Sequence, residues 1–260
     1  MNFIWVIQDS FGKHYNWTEI YHSVAVCGSK AVNIPLEQVK SFHSPKGYIP
    51  IVIGGDDYLA LASENKRLRS GIFNDDAFFN VDNYIKLWGY DYLNYDSKII
   101  TFESLTPHDI PFFIRPLRDD KSLDGQVVNT EYEFLNIQSL FKKSGVFFCV
   151  STIKNIHREW RAVIVNRIVV SVCRYAVNHQ SSVSQEDIPD KLLLFIKSHC
   201  NIISAPIAWV MDIAECQGHY FVLECNIFNA SNFYDCDRKA IVSAVETSLL
   251  LLPTYSVIQK

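Results

Sequence analysis

Two apolar stretches in the last quarter of the chain are interrupted by polar side chains that could hold a metal ion. Asp212 lies in Trp209–Ile213, and Glu224 and Asn226 lie in Phe221–Asn226. A carboxylate among apolar strand residues is costly to bury unless a cation or hydrogen-bond donors accompany it. Two carboxylates and an amide oxygen suit a hard divalent cation, and Mg²⁺ usually keeps waters and substrate phosphates as its other ligands. The spacing therefore favours a magnesium and phosphate site.

Two arginines offer an alternative that needs no metal. Arg161 and Arg174 lie in predicted strands, and either could neutralise a carboxylate such as Asp212 in a salt bridge. Structural ion-pair networks gather charges in the same way as functional sites do. Both interpretations stay open at this point, with the metal site favoured.

A further pair of cations could bind phosphate. Arg115 ends the aromatic segment Phe112–Arg115, and Lys121 follows it in a short loop that contains Gly125. A guanidinium fork and a lysine ammonium are the usual phosphate binders, and glycine lets the backbone approach a phosphate. The loop lacks the glycine pattern of a P-loop or a dinucleotide fingerprint. Phosphate binding here would rest on the two cations.

The elements that must position these side chains are two predicted β-hairpins. The first has Asn166 and Arg167 as a two-residue turn, and its strands are Trp160–Val165 and Ile168–Tyr175. Asparagine tolerates the positive φ that such a turn requires. Regular pairing from this turn places Glu159 opposite Arg174, with Arg161 on the same face. Three charged side chains are therefore predicted to share an otherwise apolar face.

The second hairpin decides whether the two carboxylates meet. Its predicted strands and loop are Ala208–Ala214, Tyr220–Asn226 and Gln217–His219. In a three-residue-loop register Asp212 faces Glu224, and Asn226 continues along the same side. A slip of one residue would place the two carboxylates on opposite faces.

The remaining pattern predicts a small α/β lobe followed by a larger domain. Further strands and helices are predicted at Phe3–Ile7, Tyr48–Ile53, Val146–Val150, Asp76–Gly89, Glu131–Lys143 and Pro189–Cys200. Asp75 or Asp76 is the expected cap of the first helix. The polar segment Thr101–Pro111 contains two prolines and is the expected boundary. We predict a lobe at residues 1–105 and a second domain at residues 106–260.

Composition excludes several classes of protein. The 260 residues carry 24 basic and 28 acidic side chains, giving a net charge of −4, and 48% of them are apolar. This balance argues against a surface that coats nucleic acid. The aliphatic run Leu249–Leu252 is far shorter than the roughly 20 residues of a membrane span, and Met1–Ser10 lacks the pattern of a secretory signal. We expect a cytoplasmic protein without a membrane or nucleic-acid partner.

The seven cysteines are scattered along the chain and include no Cys-x-x-Cys pair. This pattern argues against a disulfide framework and against a zinc knuckle. Free cysteine behaves as a small apolar residue, so we expect buried free thiols, with a catalytic cysteine as the minor alternative.

Taken in order, these motifs resemble the ATP-grasp superfamily, and specifically its clade named for two arginines and a lysine, which occurs in bacteria and their viruses. The resemblance covers roughly Asp56 to the C-terminus. The motifs that carry it are Phe113–Pro116, Lys121 with Gly125, Glu159–Arg161, Arg174–Tyr175, Asp212–Ile213 and Glu224–Asn226. It implies an ATP-grasp fold, two α+β subdomains that clamp a nucleotide, preceded here by the small α/β lobe. A viral origin would place the protein in the host cytoplasm.

The resemblance also implies roles in catalysis and metal binding. Asp212, Glu224 and Asn226 would hold one or two Mg²⁺ ions that bridge the phosphates of ATP. Arg161 and Arg174 would contact the transferred phosphoryl group or an acyl phosphate.

The nucleotide itself would contact a second set of residues. Arg115 and Lys121 would contact the phosphates of the nucleotide. Arg115 is also the third arginine expected in catalysis. Glu159 would bind the ribose hydroxyls, and backbone groups of the strand and linker that contain Val150 and Lys154 would bind the adenine.

The implied reaction is ATP-dependent ligation. A carboxylate attacks the γ-phosphate to give an acyl phosphate, and an amine or thiol then displaces phosphate to form an amide-type bond. The substrates would be small molecules, peptides or proteins. Two alternatives stay open: a Mg²⁺-dependent nuclease or phosphohydrolase that uses Asp212 and Glu224, and a catalytically silent nucleotide-binding protein.

The acceptor site is less defined than the nucleotide site. Gly54–Asp56 follows a predicted strand, and ligands favour the carboxyl ends of strands, although an ordinary turn explains these residues equally well. Val210 and Ile227–Ala230 depart from residues that are common in the better-known ligases of the superfamily. These departures leave the substrate unnamed.

Overall fold

The computed structural model describes residues 2–9, 18–117, 123–142 and 144–252, so Lys121 lies outside the described residues. The strands within these ranges are β1 (Asn2–Gln8), β2 (Lys30–Ile34), β3 (Tyr48–Ile53), β4 (Lys98–Thr101), β5 (Phe112–Pro116), β6 (Gln126–Val128), β7 (Phe147–Ser151), β8 (Ile156–Val165), β9 (Ile168–Val177), β10 (Gln180–Ser184), β11 (Ala208–Cys216) and β12 (His219–Ile227). The α-helices are α1 (Thr18–Val26), α2 (Leu36–Val39), α3 (Asp56–Glu64), α4 (Val81–Trp88), α5 (Glu131–Phe141), α6 (Asp190–His199) and α7 (Arg238–Leu250). No helix within these ranges is long and apolar enough to span a bilayer.

The strands form three sheets, with orders β2-β1-β3, β4-β7-β5-β6 and β10-β9-β8-β11-β12. The chain divides into two compact units. The first unit comprises Met1–Asp75, Glu159–Asp212 and Cys225–Lys260, and the second comprises Asp76–Arg158 and Ile213–Glu224. Each unit is therefore assembled from separate segments, whereas the predicted division at residue 105 is a single cut in the sequence.

The parallel sheet of the first unit is covered on both faces. Phe3 and Trp5 of β1 belong to one buried cluster, which also contains Ile241 of α7. Ile4 of β1 belongs to a second cluster with Leu59 of α3. A parallel sheet buried on both faces requires nearly continuous apolar strands, and this explains why β1 and β3 lack polar alternation.

The second unit has an aromatic core between α5 and its four-stranded sheet. Phe102, Phe134 and Phe148 are fully buried there, with Phe102 and Phe134 ring centres 5.0 Å apart. Helix α5 begins at a capping box in which Thr130 and Glu133 each accept a hydrogen bond from the other's backbone N–H. The capping box and the buried face of α5 explain why its start was predictable.

Two predicted elements need correction. The helix predicted to begin at Asp76 begins at Val81, because the side chain of Asn80 accepts a hydrogen bond from the backbone N–H of Asp82 and caps it. Its predicted end at Gly89 is right. The predicted three-residue loop between β11 and β12 is wrong: only residues 217 and 218 connect the strands, both with positive φ.

Candidate functional site

A buried ion pair joins β8 and β11 in the first unit. The Nε of Arg161 donates to Oδ1 of Asp212 at 2.8 Å, and its Nη2 donates to Oδ2 at 2.7 Å. Asp212 is 1% exposed and Arg161 8% exposed. Burial alone would lower the pKa of Arg161, but the charge and hydrogen bonds of Asp212 outweigh it and raise that pKa above its usual value. The guanidinium therefore stays charged, in the bidentate geometry that makes the strongest pairs of this kind.

The loop after β12 encloses the same guanidinium. Nη1 of Arg161 donates to the backbone oxygen of Asn232 at 2.7 Å. The guanidinium carbon lies 4.9 Å from the ring centre of Tyr234 and 5.7 Å from that of Tyr175, and these two rings stack. Cation–π contacts of this kind are strongest where water is excluded. Sequence reasoning missed Asn232 and Tyr234, which lie in a loop without a motif.

Asn226 also reaches the ion pair. Its Nδ2 donates to Oδ2 of Asp212 at 3.3 Å. Two of the three predicted metal ligands, Asp212 and Asn226, are therefore adjacent. Asn226 and Arg161 both donate to Oδ2 of Asp212.

This contact requires an irregular ladder between β11 and β12. From a two-residue turn, regular pairing would place Asp212 opposite Leu223 and leave Asn226 on the other face. The buried positions of β12, Val222 and Cys225, are three residues apart rather than two. A one-residue shift within β12, as at a β-bulge, would explain both this spacing and the contact between Asn226 and Asp212.

The first hairpin differs from its prediction in the same way. The turn at Asn166 and Arg167 has the predicted length and positive φ values. Glu159, however, accepts a hydrogen bond from the hydroxyl of Tyr175 at 2.8 Å rather than pairing with Arg174. Regular pairing would place Tyr175 opposite Arg158, and a one-residue shift in this ladder would explain the contact with Glu159.

Arg174 is consequently held elsewhere. Its Nε donates to the backbone oxygen of Ser182 at 3.1 Å, and its Nη1 pairs with the carboxylate of Asp187. The predicted contact of Glu159 with Arg174 is not formed, because Tyr175 bonds to Glu159 and lies beside Arg161 while Arg174 bonds to Ser182 and Asp187.

In the second unit, Glu224 pairs with Arg115. Nη1 of Arg115 lies 3.3 Å from Oε2 of Glu224, and their side chains are 15% and 32% exposed. The third predicted metal ligand thus contacts the predicted phosphate-binding arginine. Across the described residues, no three His, Cys, Asp or Glu side chains are grouped as metal ligands. The predicted set contains two carboxylates and an amide, and it stays a prediction.

Lys154 is the centre of another polar cluster in the second unit. Its Nζ donates to Oδ1 of Asp96 at 2.8 Å and to the hydroxyl of Thr152, and it lies 5.3 Å from the ring centre of Tyr95. Burial alone would raise the pKa of Asp96, but hydrogen bonds from Lys154 and Thr152 outweigh it and lower that pKa below its ordinary value of 3.8. The cluster anchors the start of the linker between β7 and β8.

Val150 lies in the interior of the four-stranded sheet. It pairs with Lys98 of β4 on one side and with Ile114 of β5 on the other. Backbone that is free of ladder pairing begins only after Ser151, in the linker 152–155.

Asn229 is a buried residue that the sequence did not single out. Its Oδ1 accepts from the backbone N–H of Phe73 at 2.7 Å, and its Nδ2 donates to the carbonyls of Val52 and Gly71. The backbone oxygen of Asn229 accepts from the N–H of Gly54 at 2.9 Å. A Cβ on Gly54 would lie 2.4 Å from the ring of Tyr58. Packing against Tyr58 therefore explains why position 54 is a glycine. The sequence suggested this residue as part of an acceptor site.

An open cleft of about 780 Å³ lies in the first unit. Residues of α1, of β10 and the position after it, of the loop before α7 and of the start of α7 line it, including Asn232 and Tyr234. Both residues also contact the guanidinium of Arg161. The cleft is large enough for a small-molecule or peptide side-chain ligand.

Known structures share this architecture. D-alanine–D-alanine ligase from Bacillus anthracis is 14% identical, with a TM-score of 0.61 over 96% of this chain and 98% of that chain. A RimK domain ATP-grasp protein from Sphaerobacter thermophilus is 11% identical, with a TM-score of 0.59 over 95% and 99%. The ATP-grasp ligase PsnB, solved with a minimal precursor, is 10% identical, with a TM-score of 0.58 over 95% and 99%. These similarities confirm the predicted ATP-grasp fold.

Sequence comparison identifies the family. The model of an ATP-grasp domain, family 2 of the clade named for two arginines and a lysine, matches residues 95–244. The chain therefore belongs to this clade of ATP-grasp proteins, as its motifs predicted. No curated protein matches the chain in sequence.

Proposed function

We propose that this chain is an ATP-dependent ligase that converts a carboxylate into an acyl phosphate and joins it to an amine or thiol. Membership of the ATP-grasp family supports the reaction class. The observation that carries the proposal is the group of Asp212, Asn226 and Arg161, which collects a carboxylate, an amide and a guanidinium in a buried position. Phosphoryl transfer needs such charge and positioning more than a nucleophilic side chain.

The donor set fits a magnesium ion. Asp212 offers carboxylate oxygens and Asn226 an amide, the hard ligands that Mg²⁺ prefers. Nδ2 of Asn226 lies 3.3 Å from Oδ2 of Asp212, so a flip of the amide would bring its oxygen beside that carboxylate, and an oxygen from each could then bind one cation. Glu224 is the proposed third ligand, and Mg²⁺ when bound would neutralise phosphate charge. Structures of the neighbour PsnB contain Mg and ADP, and a structure of D-alanine–D-alanine ligase contains ATP.

Arg161 has two proposed tasks. It holds the Asp212 carboxylate in a fixed orientation by two hydrogen bonds. Its hydrogen bonds to Asp212 and to the backbone oxygen of Asn232 use three of its five N–H groups. The other two N–H groups would donate to the transferred phosphoryl group. Arg174 is proposed for the same phosphoryl group, which requires its contact with Asp187 to open.

The nucleotide is proposed to contact groups of the second unit. Arg115 and Lys121 would bind phosphates, as expected for arginine and lysine cations. Val150 is engaged in the sheet, so the backbone groups offered to adenine would come from the linker that includes Lys154. Glu159 of the first unit would bind the ribose hydroxyls. These bonds would replace the hydrogen bond that Glu159 accepts from the hydroxyl of Tyr175.

A peptide or protein is the proposed source of one substrate group. The neighbour PsnB was solved with its precursor peptide PsnA2 and AMPPNP, with a TM-score of 0.53 to this chain. The open cleft of the first unit, which is lined by Asn232 and Tyr234, supports a substrate larger than a free amino acid.

Binding of Mg–AMPPNP, measured by calorimetry, tests the nucleotide and metal assignments. We expect Asn226→Ala and Glu224→Gln to weaken binding by about 10–100-fold, the usual cost of disturbing a metal ligand set. Glu37→Gln, which removes an exposed carboxylate of α2, is the matched control and should bind as the wild type does. Unchanged binding in both site variants, with folding confirmed by circular dichroism, would refute the metal assignment.

Turnover is tested by incubating the protein with Mg-ATP and a cell extract, then searching for new amide adducts by mass spectrometry. We expect ADP and a new adduct that disappear together in Glu224→Gln. The buried Arg161–Asp212 pair favours one second candidate, a nucleotide-binding protein without turnover, because a neutralised carboxylate has no need of a metal. Tight nucleotide binding without ADP or adduct formation would select that candidate.

A further inference from the structure

Two of the seven cysteines lie next to each other in the first unit. Sγ of Cys236, in the loop before α7, is 3.2 Å from Sγ of Cys173 in β9. Both side chains are buried, at 1% and 0% exposure. All seven cysteines are free and six of them are buried, so the predicted burial fails only at Cys27, which is partly exposed.

The backbone around this pair holds the two sulfurs together. The N–H of Asp237 donates to the hydroxyl of Ser171 at 2.8 Å, which fixes the loop to β9 beside the pair. Sγ of Cys173 lies 3.8 Å from the backbone oxygen of Phe233 in the same loop. The proximity of the sulfurs thus follows from contacts on both sides of Cys236.

The pair lies next to the cleft of the first unit. Cys236 is among the residues that line the 780 Å³ cleft. The thiol of Cys236 donates a hydrogen bond to Cys173, and this bond, with the charge of Arg161, lowers the pKa of Cys173. A thiolate is the form of cysteine that oxidants attack.

We propose that Cys173 and Cys236 are an oxidisable pair that forms a reversible disulfide with hydrogen peroxide. The Cys173 thiolate attacks one peroxide oxygen, the O–O bond breaks, and the departing hydroxide takes up a proton to leave as water. Cys236 then attacks the resulting sulfenic acid, the S–S bond forms, the S–O bond breaks and a second water leaves. Two thiols and one peroxide thus give one disulfide and two waters.

The disulfide would act on the loop that encloses Arg161. Closing the bond brings the sulfurs from 3.2 Å to about 2.05 Å and ties the loop covalently to β9. Asn232 and Tyr234 of this loop both contact the guanidinium. Oxidation would therefore fix one wall of the cleft covalently.

Counting thiols in the intact protein tests the proposal independently of ligase activity. The folded wild type is treated with hydrogen peroxide, denatured and alkylated, and its intact mass is then measured by mass spectrometry. We expect five labels instead of seven, a disulfide-linked pair of peptides containing Cys173 and Cys236, and recovery of seven labels after dithiothreitol. Cys200→Ser, which removes a buried thiol bonded to the carbonyl of Arg167, is the matched control and should lose two labels as well.

Variants of the pair complete the test. Cys173→Ser should keep all six of its labels after the same treatment, whereas Cys236→Ser should form no disulfide and should lose only the label of Cys173, which stays a sulfenic acid. Retention of seven labels by the oxidised wild type would overturn the proposal. So would sulfinic or sulfonic acid on one cysteine without a disulfide, or a disulfide that joins a different pair of cysteines.

Discussion

Two ion pairs of the molecule contrast in burial and in geometry. In the first unit, Arg161 and Asp212 form a two-bond pair whose side chains are 9% and 2% exposed. In the second unit, Lys154 and Asp96 form a one-bond pair whose side chains are 15% and 24% exposed. The first pair is isolated from solvent, whereas water reaches the second.

This contrast separates two tasks that a charged pair can perform. A buried carboxylate with two hydrogen bonds from one guanidinium has a single orientation, which suits a group that must present an oxygen at a fixed position. A lysine contributes a point charge on a flexible stem, and solvent can replace it. We expect the buried pair to dominate the stability of its surroundings and the exposed one to be adjustable.

The largest predicted effect is that of removing one partner of the buried pair. Arg161→Met leaves the Asp212 charge buried and also removes the guanidinium from the rings of Tyr175 and Tyr234. We expect the free energy of unfolding to fall by about 3–5 kcal/mol, the usual cost of an uncompensated buried charge. Urea denaturation followed by circular dichroism measures it. A loss below about 1 kcal/mol would mean that solvent reaches Asp212.

The second prediction removes both charges. Arg161→Met combined with Asp212→Leu leaves no buried charge, so this double variant should be more stable than Arg161→Met alone by about 1–4 kcal/mol. The comparison uses the same denaturation experiment. A double variant that is less stable than the single one would show that packing around Asp212, rather than its charge, sets the cost.

Most of the architecture behind these pairs was predictable because it follows local rules. Helix α5 has a capping box, β1 and β3 are continuous apolar runs, and the turn at Asn166 and Arg167 has the residues that positive φ favours. The family match confirms that the ordered motifs identify the fold. These features need no information about distant contacts.

Several partners of the site residues were less predictable, because they depend on the pairing register of the two hairpins. Period-two alternation paired Glu159 with Arg174, but Glu159 bonds to Tyr175 instead. Asn226 contacts Asp212, although the predicted loop length was wrong. A bulge leaves no composition signal, and a one-residue shift reverses every side chain beyond it.

The third prediction concerns the exposed pair. Lys154→Met removes one hydrogen bond from Asp96, whose other oxygen still accepts from the backbone N–H and hydroxyl of Thr152. Since water can solvate the carboxylate, we expect a loss of only about 0.5–1 kcal/mol near neutral pH. Lys86→Met, which breaks the more exposed pair with Asp82 on α4, is the control for loss of a lysine charge. A cost for Lys154→Met as large as that for Arg161→Met would abolish the contrast between the two regions.

The smallest predicted effect is the pH dependence of that same cost. Hydrogen bonds from Lys154 and Thr152 keep the pKa of Asp96 below 3.8 in the folded protein. The stability that Asp96 contributes is therefore fully present above about pH 4 and is lost as the pH falls through the lower, folded-state value. The difference in unfolding free energy between wild type and Lys154→Met should shrink as the pH is lowered from 7 through this window. A difference that grows on acidification would mean that Lys154 stabilises a protonated Asp96, contrary to the geometry of a lysine that donates to a carboxylate.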